Sequence, residues 1–430
     1  MDKIMIPEIL GIICSFLDTK DVRRFRLCCK AFADVGACYA YRNVVFFLHQ
    51  GDFDVLERIS LDPIASKNVR SLVYINYLLS DRKLSLDDFR QSYATRRQFE
   101  KFFARSRGIP LSPLVDAAQL ERSHAEYEML YQQQQKMLRA QSDYERIRDA
   151  VSRFPALQEV VMTNEDWFWT SRKTPFGFNL GIAASHLLPV GCRHLDALLA
   201  AVAAADNVHL KKLSAGLLSW KYFQKPRAEL GRTLSLLADL TCLELMIDCT
   251  DYTSQCSELL GTGLLRGFLK SLTKLQTLHV VFTCDAENDV EYEHAPRLDD
   301  IVDPKHRWDD LDSLTLGYVT SERQELLSIL KRHRGTLREL CLQDVFFRST
   351  SWLMFLPKVR RTMDLDDACL CGELHGVEEP LGHEEFWDLA EQRDLREDVN
   401  DYLVNDNIRR CPLNKRNLAE LDEFDFAPMF

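Results

Sequence analysis

Four segments of this chain share one spacing: Leu240-x-x-Leu243-x-Leu245, Leu275-x-x-Leu278-x-Val280, Leu311-x-x-Leu314-x-Leu316 and Leu337-x-x-Leu340-x-Leu342. They begin 35, 36 and 26 residues apart, with helix-patterned stretches such as "SELLGTGLLRGFLKSL" and "RQELLSILKRH" between them. The two alternating apolar positions that close each segment suit a short strand with one buried face, and the spacer suits an amphipathic helix. One strand–helix unit cannot bury its own apolar face, so neighbouring units must stack. Weaker copies stand at Leu157-x-x-Val160-x-Met162 and Leu210-x-x-Leu213.

The repeated spacing resembles an irregular leucine-rich repeat. The expected class is α/β: a solenoid over residues 151–376, with parallel strands on a concave face and helices on a convex one. An ordinary α/β domain with leucine-rich strands is the competing reading. Residues between the repeat leucines, namely Thr241, Glu244, Gln276, His279, Asp312, Thr315, Arg338 and Cys341, are expected to line the concave face as a protein-binding surface. A related unit lies earlier. "RNVVFFLH" and "VRSLVYI" read as strands on either side of the helical "DFDVLERIS", which gives strand–helix–strand over residues 41–77.

The first forty residues read differently. Pro7 suits the first turn of a helix and Glu8 favours its positive end. Ile6, Ile9, Leu10, Ile13, Phe16 and Leu17 follow at helical spacing. Asp18 and Thr19 offer a cap for a second helix, on which Val22, Phe25, Cys29 and Phe32 form a stripe, and Gly36 is an expected stop. Helices this short are marginal alone. With Ile12 and Cys14 beside its stripe, the first is apolar nearly all round. It caps the following domain, or another protein covers it.

In order, Ile6-Pro7-Glu8-Ile9-Leu10, Ile13, Phe16-Leu17-Asp18, Asp21-Val22, Phe25-Arg26 and Cys28-Cys29-Lys30-x-Phe32 resemble an F-box over roughly residues 1–40. The resemblance implies a three-helix module that docks onto a Skp-family adaptor protein. The docking surface would comprise Ile6, Pro7, Ile9, Leu10, Ile13, Leu17, Val22, Phe25, Arg26, Lys30 and Phe32. More loosely, "KRHRGTLREL" and "SWLMFLPKVRR" resemble the tail repeats of fungal-type F-box proteins.

Residues 78–150 break the repeat series and read as a helical insertion, polar around Gln133-x-x-x-Met137 and projecting there into solvent. Within it, Arg residues interleave with aromatics in "FRQSYATRRQFEKFFARSR", a pattern that can grip single-stranded nucleic acid. Phe99, Phe102 and Phe103 share one helical face, however, and more simply pack onto the body. Residues 377–430 are acidic, at about −9. Within them "EEFWDLAEQRDLREDVNDYLV" is patterned as a helix with Phe386, Leu389 and Ala390 on one side, and the acidic, aromatic "LAELDEFDFAPMF" reads as a loose tail, a partner-binding segment being the alternative.

Composition narrows the function. The net charge is −11, against a nucleic-acid partner held by a general positive field. No apolar run reaches the ~20 residues that span a bilayer, so no membrane partner is expected. Thirteen irregularly spaced cysteines, no Asn-x-Ser/Thr site, and Asp2, Lys3, Pro7 and Glu8 where a leader would be apolar suggest an intracellular protein, cytoplasmic or nuclear, with reduced thiols.

Catalytic motifs are missing: there is no G-x-S-x-G, H-E-x-x-H or P-loop, and "GTGLLRG" (261–267) fits a helix with small packing residues. Cys369, Cys371, His375 and His383 lack the usual C-x-x-C spacing of a metal site. Cys28 and Cys29 read as small core residues of the second helix. The expectation is therefore no catalytic residue, no metal and no cofactor. The F-box resemblance implies a non-catalytic substrate receptor of a Skp–cullin–F-box ubiquitin ligase. It would join a cullin–RING ligase through the adaptor and present an unidentified protein target. The alternative is a scaffold that binds the adaptor without a cullin.

Overall fold

The structure, a computed structural model, describes residues 6–107, 115–163, 187–189, 191–205, 208–249, 253–283, 295–378, 383–405, 407–408 and 410–413. The chain divides into two units, residues 1–210 with 214–216, and residues 211–213 with 217–430. It is a mixed α/β fold, with helices at the N-terminus followed by mostly parallel strands.

The first unit opens with α1 (Pro7–Ser15), α2 (Thr19–Phe25) and α3 (Lys30–Ala40). Pro7 and Glu8 occupy the first turn of α1, and the Asp18 carboxylate caps α2 by accepting from Asp21 N–H at 2.7 Å. The expected second helix is in fact two, parted at Cys29, whose backbone is fully extended. Gly36 does not stop a helix. It lies inside α3, where a Cβ would fall 2.5 Å from Arg26 Cγ.

Only residues 41–42 separate α3 from β1 (Asn43–Phe47), and α4 (Gln50–Leu61) and β2 (Ser71–Ile75) follow. Next come β3 (Tyr77–Leu79), α5 (Leu86–Arg107), α6 (Ala117–Ala140), α7 (Ser142–Val151), β4 (Glu159–Thr163), β5 (Leu187–Pro189) and α8 (Gly191–Ala203). β1, β2 and β4 are parallel and in register, so Val44, Leu72 and Val160 form one buried row and Phe46, Tyr74 and Met162 another. β3 pairs antiparallel with β5.

The expected solvent-projecting stretch of α6 is instead anchored. Gln134 is 1% exposed and Met137 is 5% exposed. The Gln134 amide accepts from Leu79 N–H at 3.0 Å and donates to Leu79 C=O at 3.2 Å. A polar side chain here satisfies backbone that strand pairing leaves open, as buried polar groups must. The side chains of Phe99, Phe102 and Phe103 lie outside the described residues.

β6 (Lys212–Ser219) has residues in both units. The second unit then runs α9 (Arg227–Leu236), β7 (Cys242–Asp248), α10 (Thr253–Gly261), α11 (Leu264–Ser271), β8 (Thr277–Thr283), α12 (Leu298–Ile301), β9 (Ser313–Ser321), α13 (Arg323–His333), β10 (Glu339–Phe347), α14 (Trp352–Thr362), β11 (Asp367–Cys371), β12 (Glu373–Glu378), β13 (His383–Asp388) and α15 (Arg393–Val404). The "GTGLLRG" stretch is a break between α10 and α11, not one helix, with Gly263 at φ +76°. That conformation costs glycine least.

β7 to β11 are parallel and in register, and the repeat positions coincide across them. Leu243, Leu278, Leu314, Leu340 and Ala368 form one row, and Leu245, Val280, Leu316, Leu342 and Leu370 the next. All ten are buried, as are Leu240, Leu275, Leu311 and Leu337 that open the four motifs. A backbone device recurs just before each strand. The carbonyl of Thr241 accepts from both Gln276 and Thr277 N–H, that of Gln276 from Asp312 and Ser313, and that of Asp312 from Arg338 and Glu339. In the first unit Arg42 and Arg70 do the same, for Arg70 with Ser71 and for Gln158 with Glu159.

The acidic C-terminal region departs from its helical pattern. Its "HEEFWD" stretch, expected to be helical, is β13, antiparallel to β12, and only Arg393–Val404 forms the helix. Glu385 is 1% exposed and accepts from Trp352 N–H at 2.8 Å, Leu353 N–H at 3.3 Å and Trp387 Nε1–H at 2.7 Å. It thereby places a carboxylate at the N-terminus of α14, where the helix dipole favours it. "LAELDEFDFAPMF" lies outside the described residues.

Candidate functional site

α1 and α2 each pack on α3, and the apolar residues they bury are Leu10, Cys14 and Val22. Leu10 and Val22, each 1% exposed, therefore serve the interior of the trio rather than a free docking surface. Ile13, Leu17, Phe25, Arg26 and Phe32 are half-buried, whereas Ile6, Pro7, Ile9 and Lys30 are exposed. Arg26 is tied to α3: its Nε donates to Ala33 C=O at 3.2 Å, and its guanidinium lies 5.2 Å from the Tyr41 ring centre. Cys28 and Cys29, expected in the core, are exposed in the turn before α3.

The surface of this module is unusually apolar. Of the ten large hydrophobic residues left exposed among the described residues, Ile6, Ile9, Ile12, Phe16 and Leu27 are half, and all fall within 22 residues of one another. Phe16 and Leu27 are each 86% exposed. Concentrated exposed apolar surface marks an interaction site. Ile12, Phe16 and Leu27 were not among the expected docking residues: Phe16 lies on the helical stripe and Ile12 beside it, and periodicity alone does not say which apolar residues stay exposed.

Residues 5–35 match the family model described as the F-box domain. The chain carries an F-box. No curated protein matches the chain by sequence. F-box domains bind Skp-type adaptors, and the substrate-receptor role in ubiquitin ligases is their usual function. The F-box here joins the following α/β fold through two residues, and α3 packs on the turn at Ser66–Asn68.

On the other candidate surface, Glu244, His279, Thr315 and Cys341 occupy one row across β7 to β10, half-buried on the face opposite the leucines. Thr241, Gln276, Asp312 and Arg338 precede the strands and do not join that row. Their carbonyls serve the backbone device described above, and Arg338 also bonds Asp364 at 2.7 Å. Lys212 meets Glu244 at 2.7 Å at one end of the row.

At the other end, register brings Cys341 beside Cys369, and the Sγ atoms of Cys341, Cys369 and Cys371 lie within 4.8 Å of one another. Hydrogen bonding from Cys341 pulls the Cys371 thiol down to about 7, and the same bond pushes Cys341 up. His375 and His383 do not belong to this group. His375 faces Glu373 at 3.3 Å, and His383 pairs with Glu378 in the β12–β13 ladder. Among the described residues, no helix is long and apolar enough to cross a membrane.

Proposed function

We propose that the protein is the substrate-recognition subunit of a Skp–cullin–F-box ubiquitin ligase. The observation that carries the reading is the F-box at residues 5–35, with Ile6, Ile9, Ile12, Phe16 and Leu27 exposed. Covering an exposed aliphatic or aromatic side chain contributes about 1.5–3 kcal/mol. Five of them can outweigh the roughly 4–15 kcal/mol cost of association when most of that surface is buried. The Skp-family adaptor is the partner of matching chemistry, and a cullin–RING assembly follows through it.

In this reading the protein performs no chemistry and acts inside the cell, in the cytoplasm or nucleus. It holds a target near a ubiquitin-charged enzyme, which turns a bimolecular encounter into a nearly intramolecular one. The two-residue connection from α3 to β1 suits that role, because a long flexible joint lowers effective concentration. The strands that follow are read as an irregular leucine-rich repeat. Support comes from the in-register leucine rows and the repeated carbonyl device, and the row Glu244, His279, Thr315 and Cys341 is the surface offered to the target.

Affinity purification of the full chain tests the proposal. Recovery of a Skp-type adaptor together with a cullin supports it. An adaptor without a cullin under conditions that preserve the ligase points to the scaffold instead.

A further inference from the structure

The three thiols at the edge of the strand face form a built cluster. Cys369 and Cys371 stand two apart on β11, so both side chains project from one face of the strand. Cys341 lies on the neighbouring strand, directly beside Cys369, and Gln343 beside Cys371. The three Sγ atoms lie within 4.8 Å of one another, all half-buried. A tetrahedral zinc ion with Zn–S bonds of about 2.3 Å asks for sulfurs about 3.8 Å apart, within reach of small side-chain rotations.

We propose that Cys341, Cys369 and Cys371 bind one zinc ion, with the fourth position held by water. Three thiolates select a soft ion over magnesium or calcium. A divalent ion leaves a net charge of −1 on the cluster, and Arg396 of α15 lies within electrostatic reach of Cys369 and Cys371 to offset it. Gln343, the fourth corner of the square, is tied to Asp344 through a 3.2 Å hydrogen bond. That bond uses the amide nitrogen alone; the group among the described residues that could hold the ion contains no fourth cysteine, histidine or carboxylate, and the last position is assigned to solvent. All three bind as thiolates, so binding releases the protons they still carry. The ion would sit at the end of the row that contains Glu244, His279 and Thr315. Zinc binding is independent of the ligase reading and is tested without the adaptor.

The full chain, purified with a non-metal-binding reductant, is loaded with one equivalent of zinc, dialysed and assayed for metal. A second sample takes cobalt(II). The expected result is one metal per chain, sulfur-to-cobalt charge-transfer absorption with tetrahedral visible bands, and a zinc-dependent rise in melting temperature. Cys341→Ser, Cys369→Ser and Cys371→Ser each weaken binding by on the order of 10-fold or more, since even loss of an outer-shell partner costs that much. Cys28→Ser, an exposed thiol of the other unit, leaves it unchanged.

Metal content equal in the wild type and the three serine variants overturns the site. So does a disulfide joining two of the three thiols in metal-treated protein. Should the variants fail to fold, a wild-type cobalt sample without thiolate absorption overturns it alone.

Discussion

Phe25 and Phe32 stack face to face, their ring centres 4.2 Å apart and their planes 10° from parallel. The pair bridges the extended turn at Cys29 and fixes the end of α2 against the start of α3. Aromatic pairs contribute about 0.5–1.5 kcal/mol beyond the area they bury. Phe32→Ala is expected to speed hydrogen exchange across residues 19–40 while leaving β7 to β10 unchanged. Phe32→Leu, which keeps apolar area and loses the stack, falls between.

Gly36 makes a prediction of opposite sign to the usual rule. Glycine-to-alanine inside a helix ordinarily stabilises by about 1 kcal/mol. Here the new Cβ lands on Arg26 Cγ and dislodges a side chain bonded to Ala33 and packed over Tyr41. Gly36→Ala is expected to lower the melting temperature. Adding Arg26→Ala to it should recover part of the loss, because the obstructing atom is then gone.

Asp143 is fully buried and receives both Arg193 Nη atoms, at 2.5 and 2.7 Å, with Tyr74 Oη–H at 3.4 Å. The pair joins α7 to α8 beneath β2. Removing one partner leaves an uncompensated buried charge, which costs about 3–5 kcal/mol. Denaturant unfolding of Arg193→Met should show that loss. The double variant Asp143→Leu with Arg193→Met should be less destabilised than Arg193→Met alone.

His333 sets a pH dependence. Trp308 N–H donates to its Nε2 at 3.0 Å, so Nδ1 carries the proton and donates to Ile329 C=O at 2.9 Å. Burial first, then the positive charges of Arg332 and Arg307 and the neighbouring His306, hold the imidazole below its ordinary value of 6.5. His306 and His375 are pushed the same way, chiefly by burial. The unfolded chain therefore binds more protons than the folded one, and stability falls as pH drops below about 6.5. Thermal melts between pH 7.5 and 5.5 should show the decline. His333→Gln, which keeps an acceptor for Trp308, should flatten it in part.

Much of the strand architecture was readable because burial demanded the same residue type at the same spacing. Leu243, Leu278, Leu314 and Leu340 announced themselves. Val69-x-x-Leu72-x-Tyr74, leading into β2, was read as a strand but not as a copy of the motif, since valine and tyrosine fill the same buried positions without spelling it. Gly36 and Glu385 were misread for another reason. Local pattern makes one a helix stop and puts the other in a helix. Tertiary neighbours make them a packing point for Arg26 and a cap for α14. In the F-box, helical periodicity found the apolar residues but could not divide them into inner and outer sets. Leu10 and Val22 proved inner, while Phe16 and Leu27 proved outer. The thiol cluster was half visible: C-x-C was in the sequence, but only strand register supplies Cys341.

The central claim is that the outer apolar residues of the F-box await an adaptor, and calorimetric titration of a purified Skp-type adaptor into the full chain tests it most directly. Wild type is expected to form a one-to-one complex, and Ile9→Asp with Phe16→Asp to weaken it by on the order of 100-fold or more, given about 1.5–3 kcal/mol per covered side chain. Circular dichroism should be unchanged, since neither residue is buried. A wild-type chain that ignores the adaptor, or a double variant that binds it equally well, would contradict the account.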